Sequence, residues 1–411
     1  MTDLLIRNAT LVDGTATDIA IDGERISAIA PGLPVEAGEV IDAAGRLVSA
    51  PFIDAHFHLD ATLSYGLPRI NQSGTLLEGI ALWGELKQIV TVEEMVERAL
   101  AYCHMAVGHG LLAIRSHVDV CDDRLLGVQA LLEVRERVSG FMDLQLVAFP
   151  QDGWYRSNAE RNVIRALDMG VDIVGGIPHF ERTMEDGTRS VRAACELAEQ
   201  RGLMVDLHCD ESDDPHSRHI ETLAAETHRV GLQGRVVGSH LTSMHSMDNY
   251  YASKLIALIA ESEVAAVPNP LINITLQGRM DTYPKRRGLT RVPELLAGGV
   301  NVAFGQDCVM DPWYSLGTGD MLDPAFMGLH VGQMTAPAAM RECYEMVTTR
   351  SAEILGLTDL GIAEGKRASL VIVDAKDPVE AIRRRPVRTH VISRGKVVAR
   401  TPAPETTLNL A

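Results

Sequence analysis

A regular alternation of short apolar runs with longer helical patterns is the feature that most constrains the fold of this chain. It fills the centre of the 411 residues, where helical patterns occur, for example, at residues 92–107 and 190–200. Such alternation is typical of parallel βα units. Eight runs predict strands, and these end in Ala55-His56-Phe57-His58, Ile114-Arg115-Ser116-His117, Leu146-Val147-Ala148-Phe149, Ile173-Val174-Gly175-Gly176, Val205-Asp206-Leu207-His208, Val236-Val237-Gly238-Ser239-His240, Ala265-Ala266-Val267 and Val302-Ala303-Phe304-Gly305.

Eight strands over about 250 residues match the size of an α/β fold of the (β/α)8 TIM barrel type. An open doubly wound sheet is the alternative, but no Gly-x-Gly-x-x-Gly motif follows the first strand. We therefore predict a barrel over residues 51–357, which would form the catalytic domain.

The two ends of the chain have a different texture, with short strands separated by turns such as Asn8-Ala9 and Asp22-Gly23. Neither end has enough strands for an independent sheet. We therefore expect residues 1–50 and 358–411 to combine into one small β-sandwich domain built from both chain termini.

Composition excludes several classes of function. A formal net charge of −17 opposes binding to nucleic acid, which needs clustered Lys and Arg. No apolar stretch approaches the length of a membrane span. Six scattered cysteines without a Cys-x-x-Cys pair fit free thiols, and the N-terminal residues lack the pattern of a signal peptide. These features predict a cytoplasmic protein.

Polar side chains gather where the predicted strands end. His56 and His58 end the first strand, His208 the fifth and His240 the sixth, and Asp307 follows the eighth. In a barrel these strand ends converge on one mouth, where active sites form. Burying four histidines beside a carboxylate costs free energy unless these groups bind a common ligand. The pattern therefore predicts a metal site.

His56, His58 and His208 with Asp307 supply three neutral nitrogens and one carboxylate, which leaves one position open on a metal. A metal bound in this way lowers the pKa of a bound water towards neutrality, as hydrolysis requires. Such His3Asp sites hold Zn²⁺ or Fe²⁺, and the residue types do not choose between them.

Three further polar residues suggest roles around this metal. Glu211 lies three residues beyond His208, so its carboxyl can reach a substrate as a proton shuttle. His240 can accept the proton of the attacking water or orient it. Gln151 offers both a donor and an acceptor to a planar amide edge.

Longer motifs resemble the amidohydrolase superfamily, and within it the bacterial cytosine deaminase branch, which includes enzymes acting on 5-methylcytosine. The similarity runs nearly from end to end. The motifs that carry it are His56-Phe57-His58-Leu59-Asp60, Asn71-Gln72-Ser73-Gly74-Thr75, His117-Val118-Asp119-Val120, Val147-Ala148-Phe149-Pro150-Gln151, Ile177-Pro178-His179-Phe180-Glu181, His208-Cys209-Asp210-Glu211, Tyr283-Pro284-Lys285-Arg286-Arg287-Gly288 and Asp311-Pro312-Trp313-Tyr314.

The resemblance implies a (β/α)8 barrel that deaminates a free pyrimidine base at C4 and releases ammonia. It assigns the metal to the matches of His56, His58, His208 and Asp307, and the catalytic steps to those of Glu211, His240 and Asp307. Superfamily members with two metals carry a carbamylated lysine on the fourth strand, and the run at 172–179 has no lysine. One divalent metal ion is therefore expected.

The resemblance also implies a substrate pocket. Gln151 matches the glutamine that reads the pyrimidine edge, Phe149 lies in the same motif, and Leu76 and Trp313 match residues that line the pocket. The implied partner is a small free nucleobase, and the resemblance favours a homo-oligomer.

The chain departs from the branch at Gln306-Asp307-Cys308, where cytosine deaminases usually carry His-Asp-Asp. The metal-binding Asp is kept, but the last carboxylate, which lies near C5 of the base in the family, is replaced by Cys308. A thiol is less polar than a carboxylate, so an apolar group beside it need not strip water from a charge. This predicts a pocket that accepts 5-methylcytosine as well as cytosine.

Other functions fit the same residues less well. Cyclic amide hydrolysis, as in hydantoinases and dihydroorotases, is disfavoured by the missing lysine and by Gln151 and Glu211. Deamination of isoguanine, creatinine or a triazine differs only in the shape of the pocket. A catalytically inactive scaffold would be expected to lose ligands, and none is lost.

Overall fold

A computed structural model describes residues 2–410. The strands are β1 (Thr2–Thr10), β2 (Ala16–Asp22), β3 (Arg25–Ala30), β4 (Ala37–Asp42), β5 (Leu47–Ser49), β6 (Phe52–Phe57), β7 (Leu111–Asp119), β8 (Asp143–Phe149), β9 (Ile173–Gly176), β10 (Met204–Cys209), β11 (Val236–His240), β12 (Val264–Val267), β13 (Leu370–Val373), β14 (Arg388–Ser393) and β15 (Lys396–Arg400). The α-helices are α1 (Leu76–Leu86), α2 (Val92–Gly108), α3 (Leu126–Val138), α4 (Ala159–Asp168), α5 (Met184–Arg201), α6 (His219–Val230), α7 (Asn249–Glu261), α8 (Pro270–Leu276), α9 (Val292–Ala297), α10 (Leu322–Val331), α11 (Pro337–Glu345), α12 (Thr349–Ile354) and α13 (Pro378–Arg384).

The central strands form the predicted parallel barrel. β6 to β12 pair in chain order as a seven-stranded parallel sheet. The eighth predicted run completes the circle without becoming a full strand, because single parallel bridges join Val302 to Ala266 and Asp307 to Phe57. Between these bridges the amide of Phe304 donates to the carbonyl of Met346, which lies outside the barrel strands in sequence, between α11 and α12. The eighth position is therefore an irregular segment, and just before Asp307 the amides of Gly305 and Gln306 donate to the Pro268 carbonyl and the Asp54 carboxyl.

Strands from both termini form a second sheet, as predicted. Its order is β15-β14-β13-β5-β1-β2-β3, and β4 pairs with β1. The two ends of the chain meet where β13 runs antiparallel to β5. The predicted turn at Asn8-Ala9 is wrong, because β1 continues through it. The ladder with β2 shifts register there and Asn8 takes a positive φ of 52°, so the irregularity is a bulge.

Local sequence signals set the helix bounds that the barrel needs. The predicted helix at 92–107 is α2, and it begins where the Thr91 side chain accepts from the Glu94 amide while the Glu94 carboxylate accepts from the Thr91 amide. The predicted helix at 190–200 lies within α5, which ends at Gly202 with φ +68°. Within residues 2–410, no helix combines the length and apolar character that a membrane crossing requires.

Candidate active site

Five side chains predicted from the strand ends meet at the mouth of the barrel. Ligand atoms of His56, His208, His240 and Asp307 all lie within 4.8 Å of one another. Nε2 of His58 lies 3.0 Å from Nε2 of His208 and 3.4 Å from Oδ1 of Asp307. All five side chains are buried. The cluster therefore brings together every residue that the sequence proposed as a metal ligand.

The donor set fits a divalent metal ion. Atoms bound to one ion at about 2.0–2.1 Å lie roughly 3–4 Å apart. Oδ1 of Asp307 lies 3.6 Å from Nε2 of His56 and 3.4 Å from Nε2 of His58. Both ring nitrogens of His56 and Nδ1 of His208 are buried and have no hydrogen-bond partner in the described part of the chain. Burial lowers the pKa of His56 to about 3 and that of His58 to about 4. The imidazoles are therefore held neutral, as metal ligation requires.

Backbone geometry turns these side chains into the mouth. Residues Asp210, His240 and Asp307, each at the carboxyl end of a barrel segment, have positive φ values of 54°, 69° and 67°. Such conformations are uncommon for residues other than glycine and recur at active sites. They redirect the chain so that Glu211, just after Asp210, faces the cluster.

Glu211 and His240 form a pair at the edge of the cluster, with 3.6 Å between Oε1 and Nδ1. Burial, and then the nearby Asp307, raises the pKa of Glu211 well above its usual range. Burial lowers the pKa of His240 well below its usual range. The amide nitrogen of Asn273 lies 2.9 Å from Nδ1 of His240 and holds the ring in place.

A cavity opens above the cluster, and most of the predicted substrate-binding residues line it. These are Leu76, Gln151, Cys308 and Trp313. Apolar side chains form much of the remaining wall: Ile80, Ile177, Phe180, Ile272 and Leu276. Phe149 instead contacts the cluster, where its ring stacks on His208 at a centroid distance of 4.0 Å. Four of the five predicted substrate-binding residues therefore line one cavity, whereas Phe149 packs on the candidate ligand His208.

Close backbone approach fixes the position of Trp313. A Cβ atom at Gly79, in α1, would lie 2.4 Å from Cδ1 of Trp313, which no real contact allows. The same helix carries Leu76 and Ile80 into the cavity wall. Glycine inside a helix costs about 0.5–1 kcal/mol relative to alanine. Gly79 therefore lowers the stability of α1 but allows the helix to contact the indole of Trp313.

Sequence reasoning missed a polar layer beneath the cluster. The ring of His117 lies 4.1 Å from that of His56, and its Nε2 is 3.7 Å from Oδ1 of Asp206. Arg115 donates to Asp206 at 3.0 Å, and Ser239 donates to it at 2.8 Å. Polar residues two apart on strands that are otherwise apolar, such as Arg115 and His117, were the available signal, because alternate residues share a face.

The chain belongs to the amidohydrolase family, whose pattern matches residues 39–399. This confirms the resemblance carried by the motifs. Its structure is similar to that of the 5-methylcytosine deaminase from Klebsiella pneumoniae bound to 5-fluorocytosine, with a TM-score of 0.95 and 42% identity over 98% of this chain and 99% of that one. The same deaminase bound to phosphonocytosine gives the same TM-score and identity. The match lies in the deaminase branch that the motifs predict.

Two more distant relatives act on other rings. The chain is 30% identical over 407 residues to the N-isopropylammelide isopropyl amidohydrolase of Pseudomonas sp. strain ADP, covering 97% of each protein. It is 29% identical over 395 residues to the pterin deaminase of Rhizobium rhizogenes strain K84, covering 93% of this chain and 88% of that protein. Together the comparisons support an amidohydrolase that deaminates a ring amine.

Proposed function

We propose that this protein deaminates free pyrimidine bases at C4, converting cytosine to uracil and 5-methylcytosine to thymine with release of ammonia. The observation that carries the proposal is the placement of Cys308 in the wall of a cavity that also contains Glu211, Gln151 and four of the five cluster side chains. These four are His58, His208, His240 and Asp307. The 42% identity to a 5-methylcytosine deaminase over nearly the whole chain supports it.

His56, His58, His208 and Asp307 would hold one divalent metal ion, Zn²⁺ or Fe²⁺, and His240 lies beside them. When bound, the metal supplies a water activated for attack near neutral pH. The protein's part is to present neutral nitrogens and a carboxylate from rigid strand ends, which keeps the reacting groups in fixed positions.

Glu211 and His240 divide the proton transfers. Burial keeps a proton on Glu211, so this carboxyl can protonate a ring nitrogen of the base as C4 is attacked. His240 is held neutral by burial and can take the proton of the attacking water. The proton on Glu211 balances the negative charge that the ring gains on attack. His240 then gives the proton it took from water to the amino group, the C4–N bond breaks and ammonia leaves. The proton of the C4 hydroxyl passes to Glu211 as the carbonyl forms, which restores the acid.

Gln151 and Trp313 would bind the base itself. Gln151 is 7% exposed and presents an amide to the cavity, which complements the N–C=O edge of a pyrimidine. Trp313, fixed against Gly79, supplies an aromatic wall whose centroid lies 6.2 Å from that of His58. The net charge of −17 opposes binding of a nucleic acid, so we propose free bases as substrates.

Cys308 decides which substituent fits at C5. Burial, followed by the neighbouring Asp311 and Asp307 carboxyls, raises the pKa of Cys308 well above its usual range, so the thiol is neutral. A neutral, polarisable sulfur tolerates a methyl group beside it. A carboxylate at this position would be desolvated by the methyl group, which costs free energy. The pocket would therefore accept cytosine and 5-methylcytosine.

An assay for released amine on the metal-reconstituted protein tests the proposal, with ammonia measured for most substrates and isopropylamine for N-isopropylammelide. The panel contains cytosine, 5-methylcytosine, isoguanine, creatinine, N-isopropylammelide, a pterin, cytidine and single-stranded DNA, with His208→Ala as the matched inactive control. We expect turnover of the two pyrimidine bases and far slower turnover of cytidine and DNA. Turnover confined to the triazine would instead support the activity of the 30%-identical relative.

A further inference from the structure

The carboxyl of Asp119, the last residue of β7, is buried and takes no part in the proposed proton transfers. Its Oδ2 accepts a hydrogen bond from Nε1 of Trp83 at 2.8 Å and another from Nζ of Lys87 at 2.5 Å. Its Oδ1 accepts from the amide of Cys121 at 2.7 Å. Three donors therefore share the two oxygens, and they hold the carboxyl in place from both sides.

Both side-chain donors to this carboxyl are presented by α1. Trp83 lies within the helix, and Lys87 directly follows its last residue. Counting back from Trp83, Ile80 and Leu76 come at spacings of three and four residues, which place them on the same face of the helix. Ile80 and Leu76 also line the substrate cavity. Asp119 therefore anchors one end of a helical face whose other end forms part of the cavity wall.

The indole of Trp83 links this carboxyl to the aromatic wall of the cavity. Its ring centroid lies 6.2 Å from that of Trp313, with 50° between the ring planes. The Trp83 ring is oriented by its hydrogen bond to Asp119, as is usual for a buried indole. Nε1 of Trp313 is also buried but has no hydrogen-bond partner among residues 2–410. The orientation of Trp313 therefore depends on the groups packed against it, which include Trp83 and Gly79.

We propose that Asp119 is a positioning residue for the substrate pocket: it fixes the ring of Trp83, and that ring in turn holds Trp313 in the cavity wall. Lys87 pairs with the same oxygen and keeps the carboxyl in place. The inference rests on the proposed function and deepens it, since the contact of Trp313 with the base is taken from there. Asp119 acts on the substrate only through Trp83.

The variant Asp119→Asn tests this at nearly constant shape. An amide has a single acceptor oxygen, so it cannot serve the Cys121 amide on one side and Trp83 with Lys87 on the other. We expect KM for cytosine and for 5-methylcytosine to rise roughly 3- to 10-fold, somewhat less than the worth of one hydrogen bond to a charged group. The kcat value and the metal content should stay close to those of the wild type. A general loss of structure would instead lower kcat and metal content together.

Asp123→Asn is the matched control, because it makes the same substitution only four residues further along the chain. The Asp123 carboxyl accepts hydrogen bonds from Arg161 and Asn162 of α4 and not from α1. KM for both bases should therefore match that of the wild type. An equal rise of KM in Asp123→Asn and Asp119→Asn would contradict a specific role of Asp119.

The background Trp83→Phe tests whether Asp119 acts through the indole. Phenylalanine keeps an aromatic ring but lacks the N–H group that donates to Asp119. This variant should raise KM by itself, and adding Asp119→Asn should raise KM much less than it does in the wild type. An equal rise in both backgrounds would overturn the proposal, because Asp119 would then act through Lys87 or through β7.

Circular dichroism provides a readout that does not depend on activity. Two indoles with centroids 6.2 Å apart couple their electronic transitions and give a pair of bands of opposite sign. These bands are isolated by subtracting the spectrum of Trp313→Phe in the same background. They should weaken in Asp119→Asn and persist in Asp123→Asn, and unchanged bands in Asp119→Asn would contradict the positioning role. A wild-type enzyme inactive on both pyrimidines would contradict the proposed function, whereas weakened bands would still support the contact through Trp83.

Discussion

Nδ1 of His240 lies 3.6 Å from Oε1 of Glu211, and burial changes the pKa values of these two groups in opposite directions. It raises the pKa of Glu211, assisted by the charge of Asp307, and lowers the pKa of His240. A carboxylic acid and a neutral imidazole therefore stand side by side. Groups whose pKa values are pushed apart in this way divide the acid and base roles of a reaction.

Glu211→Gln keeps the shape of the side chain but removes its transferable proton. Turnover of cytosine should fall at least about 10²-fold, because general acid catalysis typically contributes that much. Metal content should stay at the wild-type level, since Glu211 is assigned to the substrate. Steady-state kinetics with metal analysis checks this, and near-normal turnover would remove Glu211 from the proton transfers.

His208→Ala removes one of the three candidate nitrogen ligands on the strand ends. We expect loss of metal and loss of activity together, because the remaining donors leave the ion under-coordinated. Metal analysis after dialysis against a weak chelator measures the first and ammonia release the second. Asn273→Ala is the comparison: it frees the His240 ring but should leave metal bound. Full occupancy in His208→Ala would exclude this residue as a ligand.

Cys308→Asp restores the carboxylate that the cytosine deaminase branch usually carries. Turnover of 5-methylcytosine should fall much more than turnover of cytosine, because the added charge meets the methyl group and not the C5 hydrogen. One methyl in a fitted pocket is worth roughly 10–200-fold in discrimination. Competition between the two bases in one assay gives the ratio directly. Equal losses for both substrates would assign the position another role.

Gly79→Ala should displace Trp313, because its Cβ would meet the indole at 2.4 Å. Overpacking of this kind costs about 1–3 kcal/mol, and KM for the base should rise as the pocket wall shifts. Gly84→Ala is the matched control in α1, since its Cβ would meet nothing within 4 Å among the described residues. That variant should be as stable as the wild type or more so, with KM unchanged. Similar KM values for the two variants would contradict the role of Gly79.

The depressed pKa of His58 predicts a pH-dependent contribution to the stability of the metal-free protein. Burial lowers this pKa from 6.5 to about 4, so below pH 6.5 the unfolded chain binds a proton that the folded protein does not. The wild type should therefore lose stability relative to His58→Asn as pH falls from 6.5 towards 4, by about 1.4 kcal/mol per pH unit. Urea unfolding of both proteins across that range measures the difference, and a constant difference would contradict the shift.

Much of the candidate site was predictable because strand geometry is local. Residues two apart on a strand share a face, which links His56 to His58 by their spacing alone. Parallel strands end at the same rim, which adds His208, His240 and Asp307. The start of α2 was equally predictable, because the capping box joins Thr91 to a residue only three positions later.

Other features depended on where distant segments meet. The eighth run of the barrel did not become a strand, because its backbone donates partly to Met346. Phe149, predicted to bind substrate, stacks on His208. This contact depends on the relative positions of β8 and β10 in the barrel. The turn predicted at Asn8-Ala9 became a bulge because pairing with β2 continued past it.

The sequence by itself determined the order of strands and helices, the residues offered to a metal, and the presence of Cys308 where the cytosine deaminase branch usually carries a carboxylate. Each of these features follows from residue type and from the short-range periodicity of the chain. Only the tertiary structure decided that Gly79 meets Trp313 and that Glu211 stands beside His240. These contacts join residues far apart in the chain. Their distances are set by the closure of the whole barrel and by loops whose course no local period encodes.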